Sequence, residues 1–69
     1  MEKPSPTRER LLDVAEQLFA RRGLDAVSVR DITREAGANL GAITYHFGTM
    51  RKLIVAVFER RMKIGRAHV

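Results

Sequence analysis

The sequence predicts an all-α fold of three short helices and the beginning of a fourth. Three observations carry that expectation. Apolar residues recur at helical spacing along Leu11, Ala15, Leu18 and Phe19, and again along Leu53, Ile54, Val57 and Phe58, which is the period of one helix face. Cap-forming residues (Ser28, Thr49) and glycines (Gly23, Gly37, Gly48) punctuate the chain between those stripes, in the positions that start and stop helices. A hydrophobic content of 45% is that of a chain with a core to bury, not of a disordered basic arm.

The elements follow in order. Residues 1–6 are polar, contain both prolines of the chain and are expected to be a flexible arm. Ser5 or Thr7 caps helix 1, and Pro6 suits its first turn if the cap is Ser5. Leu11, Ala15, Leu18 and Phe19 make the apolar stripe, with Leu12 at its edge. Arg21 and Arg22 sit in the last turn, where cations favour a helix carboxyl end, and Gly23 closes it. Leu24 and Val27 are expected to plug the core from the connection. Helix 2 runs from Val29 to about Ala36, with Ser28 and Asp31 spaced as a capping pair. Val29, Ile32 and Ala36 share one face, and Gly37 supplies the left-handed stop. Helix 3 runs from Asn39 or Leu40 to about Phe47, with Asn39 a candidate cap and Ile43 a core position. Gly48 breaks the chain again, Thr49 caps helix 4, and Lys52, Arg60 and Arg61 are expected on its wetter side.

Composition narrows the function classes. A chain of 69 residues makes one small domain of marginal stability. There is no cysteine, hence no disulfide and no thiolate metal site. The two histidines, His46 and His68, are too few and too far apart for a zinc site. No apolar run approaches membrane-spanning length, and the amino terminus lacks the apolar centre of a signal peptide, so a cytoplasmic protein is expected. The formal charge of +5 favours a polyanionic partner without deciding it. The carboxylate pairs Asp13/Glu16 and Asp31/Glu35 read as solvated helix surface, since no feature supplies the cleft that acid–base work requires. No catalytic residue, cofactor or metal is therefore expected.

The stretch SVRDITREAGANLGAITYHF, from Ser28 to Phe47, reads as two short helices joined by a tight glycine turn. That is the layout of a helix-turn-helix, whose second helix lies in a DNA major groove. With LFARRG before it and LIVAVFER after it, the chain resembles the amino-terminal DNA-binding domain of the TetR family of bacterial transcription regulators. The resemblance covers Thr7 to about Met62. It implies a three-helix, homeodomain-like helix-turn-helix bundle plus the start of a fourth helix, occupying residues 7–63. It also implies a sequence-specific transcription regulator, a ligand-released repressor in its full-length form. Such a protein acts as a homodimer on a palindromic operator in double-stranded DNA. The inducer site and the dimer surface would belong to a further helical domain that this sequence lacks.

On that reading the base-reading candidates are Arg30, Asn39, Leu40, Gly41 and Ala42. Arginine pairs with guanine, asparagine with adenine, and small apolar groups touch the thymine methyl, while a glycine permits close approach. The phosphate candidates are Ser28, Thr44, Tyr45, His46, Thr49, Arg51 and Lys52, which would position the protein without reading sequence. Plain structural roles compete: Arg30 pairing with Asp31 or Glu35, Tyr45 packing over helix 4, and His46 as a half-buried imidazole. Three positions depart from the family pattern. Thr33 replaces a small alanine, and its hydroxyl can bond back to the i−4 carbonyl. Thr44 stands where an aromatic is common, with Tyr45 beside it. Met50 stands where a phosphate-binding lysine is common, leaving Arg51 and Lys52 to substitute. The rival class is a helical module that meets a protein or an anionic membrane through the basic side of helices 1 and 4.

Residues 64–69, IGRAHV, depart from the helical pattern. One encoding of them, ATC GGA AGA GCA CAC GTC followed in frame by TGA, resembles a widely used sequencing-library adapter; the alternative is a natural basic tail. This tail is therefore expected to be non-native, and different codons in an intact chromosomal gene would overturn the expectation.

Overall fold

A computed structural model describes residues 6–65, with side chains through residue 62. Four α-helices follow one another: α1 (Pro6–Arg22), α2 (Val29–Ala36), α3 (Gly41–His46) and α4 (Met50–Gly65). There is no strand among the described residues. Residues 1–5 of the expected arm and 66–69 of the expected tail lie outside them. α4 continues to Gly65, past the boundary expected at residue 63.

α1 packs against each of the other helices, and α3 is flanked by α2 and α4. Its first residue is Pro6, where a missing N–H costs no helical bond. Its buried face is Leu11, Leu12, Ala15 and Leu18, with Phe19 only partly buried. Leu12 is thus core, not edge: α1 is covered on two sides, by α2 and by α4, and a doubly covered helix buries a wider stripe than a single-sided one. Val27, Ile32, Ala36, Ile43, Phe47, Leu53 and Val57 complete the core. Leu24 is 43% exposed and Phe58 51% exposed, so neither is the plug or the core residue that their spacing predicts. The reason for Leu24 is a short 3-10 turn over Leu24–Ala26, which turns its side chain outward and leaves Val27 to close the core.

The wet side expected of α4 is also wrong at Arg60. Its guanidinium lies 2.9 Å from Asp13 and 2.6 Å from Glu16 of α1, with Glu9 at 3.4 Å and Arg61 2.7 Å from Glu16. Asp13 and Glu16 are therefore not idle surface carboxylates but a clasp between α1 and α4. The Arg60 hydrogen bond is the main reason the Glu16 carboxyl is held below its ordinary value. Arg60 is pushed above its own, first by the same bond.

Candidate nucleic-acid interface

The site begins with the start of α2. Ser28 has an extended backbone (φ −107°, ψ 166°). Its hydroxyl accepts from the Asp31 amide at 3.1 Å, and the Asp31 carboxylate accepts from the Ser28 amide at 3.0 Å. The hydroxyl cap expected from the Ser28/Asp31 spacing is present, and the return bond from the Ser28 amide to the Asp31 carboxylate completes a capping box. These Ser28 bonds, backbone first, hold the Asp31 carboxyl below its ordinary value, with Arg22 and Arg34 adding to the effect. Arg22 lies 3.6 Å from Asp31. Arg30, next to the cap, is exposed and has no ion pair among the described residues. The expected competitor, pairing with Asp31 or Glu35, does not form.

α2 ends at Gly37, which is left-handed (φ 69°, ψ 33°). The Gly37 amide donates to the Arg34 carbonyl at 3.2 Å, and the Ala38 amide to the Thr33 carbonyl at 2.9 Å. This pair of bonds reverses the chain in the fewest residues. Thr33, buried in place of the common alanine, donates its hydroxyl back to the Val29 carbonyl at 3.1 Å and so buries no unpaired oxygen.

α3 starts later than expected. Asn39 and Leu40 precede it, Leu40 has helical angles, and no side chain caps the helix. The first-turn bond is the Ala42 amide to the Asn39 carbonyl at 3.0 Å. The Asn39 side chain is thus spared from capping and stands exposed. Around α3, Ile43 and the following Phe47 face the core, while Leu40, Gly41, Thr44 and Tyr45 face solvent. Ala42 and His46 flank that face and are partly buried. Tyr45 is 83% exposed, so the alternative of packing over α4 is excluded. His46 takes the half-buried position, its ring edge-on to Tyr45 at 4.8 Å between centroids.

The start of α4 adjoins this face. Gly48 (φ 92°) turns the chain, and the Thr49 hydroxyl accepts from the Lys52 amide at 3.1 Å, the expected cap. Each capping hydroxyl, on Ser28 and Thr49, accepts one amide bond and keeps its own O–H to donate. Met50 is partly buried against the core, whereas Arg51 and Lys52 are exposed. The cationic reach at this corner belongs to those two residues.

Two residues that the sequence reading passed over also reach this unit. The Arg8 guanidinium lies over the Phe47 ring, 4.9 Å from its centroid. Arg10 donates to the Ala36 carbonyl at 3.4 Å and lines an open groove with Thr7, Gly37, Ala38, Asn39 and Ala42. No local pattern announces either contact, because the partners are far apart in sequence. The α1–α4 clasp pairs Arg60 and Arg61 with carboxylates, so these two cations of α4 are engaged within the protein. No helix among the described residues is long and apolar enough to cross a membrane.

Residues 11–57 match the family model described as bacterial regulatory proteins, tetR family. Among curated relatives, the chain is 38% identical over 57 residues to the HTH-type transcriptional repressor KstR2 of Mycolicibacterium smegmatis, covering 83% of this chain and 28% of that protein. It is 36% identical over 56 residues to the HTH-type transcriptional repressor AcnR of Corynebacterium efficiens, covering 81% and 30%. It is 38% identical over 53 residues to the HTH-type transcriptional regulator AcrR of Shigella flexneri, covering 77% and 25%. The chain thus spans between about a quarter and a third of the length of the relatives it matches.

Proposed function

Because the chain belongs to the tetR family of bacterial regulatory proteins, we propose that it binds double-stranded DNA through α2 and α3 and that this binding regulates transcription. The observation that carries the proposal is the exposed face of α3. A six-residue helix is anchored behind by Ile43 and Phe47 and presents Leu40, Gly41, Thr44 and Tyr45 outward, and Arg30 is exposed at the start of α2. An aromatic residue as exposed as Tyr45, whose ring meets only the edge of His46, has no place in the core and suits a partner surface.

In this reading Arg30 and Asn39 supply hydrogen bonds to base edges, and Leu40 and Ala42 supply apolar contact with thymine methyls. Ala42 does so from the flank. Gly41 lets the backbone approach. The hydroxyls of Ser28, Thr44, Tyr45 and Thr49, the His46 imidazole, and the Arg51 and Lys52 cations hold phosphates on either side. The repressor action named for KstR2 and AcnR is part of this proposal, for a longer protein of their length. So are a homodimer on a palindromic operator and release by a small molecule held in a further domain. Two copies would then read half-sites about one helical turn apart, roughly 34–36 Å.

The test is to incubate the purified chain with a randomised duplex library, sequence what it retains, and titrate the enriched duplex in a gel-shift assay at several salt concentrations. A recurring half-site is expected, with weak, steeply salt-dependent affinity for a single copy. No retention of any duplex at low salt would overturn the proposal.

A further inference from the structure

The recognition helix is short for the task assigned to it. α3 has six residues, no side-chain cap at its start, and a single fully helical core residue, Ile43. A helix of this length does not hold its own conformation in water. Base reading, by contrast, needs side chains fixed to within about 0.5 Å by the residues behind them. Something outside α3 must supply that stiffness. α2 and α4 flank it, yet the segments joining them to it, 37–40 and 47–49, are turns.

The first two turns of α1 reach both of those joints. Arg10 donates to the Ala36 carbonyl, the last of α2, which has no helical amide four residues on to satisfy it. The bond fixes the point from which the Gly37 turn launches α3. Arg8 covers the Phe47 ring at 4.9 Å, and the Phe47 amide in turn donates to the Ile43 carbonyl at 2.8 Å, so the end of α3 is held through the ring. From one helix, then, Arg10 reaches the end of α2 from which the turn into α3 departs, and Arg8 reaches Phe47, which closes α3. Both are already engaged within the protein: Arg8 also lies 3.7 Å from Glu9.

We infer that Arg8 and Arg10 are positioning residues, which fix the joints before and after α3 so that DNA sequence is discriminated without either residue contacting DNA. The inference rests on the DNA-binding reading of α2 and α3. Losing either contact leaves the charged surface that grips phosphates in place and loosens only the aim of α3. Discrimination between sequences should therefore fall more than affinity for DNA at large.

The experiment uses the whole chain and two probes: the duplex enriched from the randomised library by the wild type, and a scrambled duplex of the same composition. Arg8→Met and Arg10→Met keep the apolar stem and remove the guanidinium. Arg8→Lys keeps a cation for the ring, and Arg10→Lys keeps a donor. Melting by circular dichroism checks that each variant is folded at the titration temperature. Each methionine variant should lose roughly three- to tenfold in the affinity ratio of enriched to scrambled duplex, the scale of one cation–π or charged hydrogen-bond contact. The slope of log affinity against log salt should be unchanged, and the lysine variants should recover part of the ratio. A slope reduced by about one unit, with both duplexes weakened alike, would identify the residue as a phosphate contact and overturn the inference. An unchanged ratio in folded methionine variants would overturn it too, while the DNA reading stood. If the wild type enriches no duplex, the DNA reading falls and the inference with it.

Discussion

Gly41→Ala separates the demands of the fold from those of the interface. Gly41 is the first residue of α3, and its φ is not positive. A Cβ built there meets nothing within 4 Å. The isolated protein therefore has no steric need for glycine at this position, unlike Gly37, whose φ of 69° an alanine would adopt only with strain. Alanine restricts the unfolded chain and favours the helix, a gain of about 0.5–1 kcal/mol in a helix interior and less at a first position. For a domain of this size, half a kilocalorie raises the melting temperature by roughly 2–4 °C. The same methyl stands on the face proposed to enter the major groove, between Leu40 and Thr44. If the backbone approaches the bases there, displacing it costs the better part of one base contact, about 1–3 kcal/mol, or roughly tenfold or more in affinity. Stability and DNA affinity should thus move in opposite directions. The assay pairs a thermal melt with a titration against the library-enriched duplex. A stabilised variant with wild-type affinity would refute the close approach at Gly41. A destabilised one would refute the helix start described here.

Other substitutions follow the same geometry. Leu11→Ala empties a fully buried site and should cost about 2–5 kcal/mol, enough to unfold much of so small a domain. Phe19→Ala should cost clearly less, because the ring is only partly buried, and equal losses in chemical denaturation would contradict the assignment of core. Arg30→Ala should weaken binding and relax preference at one base pair. Lys52→Ala should weaken all duplexes alike and lower the salt slope by about one, and library sequencing of the two variants distinguishes the outcomes. Acid should destabilise the fold through Asp31 and Glu16, whose folded-state values lie below their ordinary ones. Their contribution is complete above the ordinary carboxylate range and is lost as pH falls through the lowered folded values. The melting temperature should therefore drop on the acid side of that range, and Asp31→Asn combined with Glu16→Gln should flatten the drop.

Local chemistry made most of the helix-turn-helix legible. The Ser28 hydroxyl cap, the Gly37 reversal and the Thr49 cap each involve partners within five residues and are readable from residue type and spacing; the Thr33 back-bond is equally local, but only the comparison with the family pattern draws attention to it. Long-range pairings were not. The Arg60 clasp joins residues 44 to 51 positions apart, and nothing in the α4 pattern marks Arg60 as different from Arg61. Periodicity gives the rotation of a helix but not what lies opposite each side. It therefore placed Leu12 and Phe58 wrongly in opposite senses: α1 is covered on two faces, whereas α4 has solvent beyond Phe58. Leu24 differs for another reason: it is expected as a plug in the connection, where a 3-10 turn over Leu24–Ala26 leaves it exposed and Val27 buried instead.

The residues of the proposed interface are hard to read for a reason tied to the role proposed for them. Core positions are constrained by the fold, so their chemistry repeats a pattern that a single sequence displays. Asn39, Leu40, Thr44 and Tyr45 are exposed in the isolated chain, and little in the folded state selects them. What selects a base-reading residue is the DNA it meets, which leaves no trace in helical periodicity. The structure narrows that freedom by elimination. It uses the Asp31 carboxylate in a cap and leaves the Arg30 guanidinium beside it unengaged. It withdraws Ile43 and Phe47 into the core and spares the Asn39 side chain from capping. What remains outward on α3 is a strip of two apolar or absent side chains, Leu40 and Gly41, followed one turn later by two hydroxyls, Thr44 and Tyr45. That order puts the groups proposed for base edges at the start of the helix and the hydroxyls proposed for phosphates farther along, the arrangement that a helix entering a groove by its amino-terminal end would need.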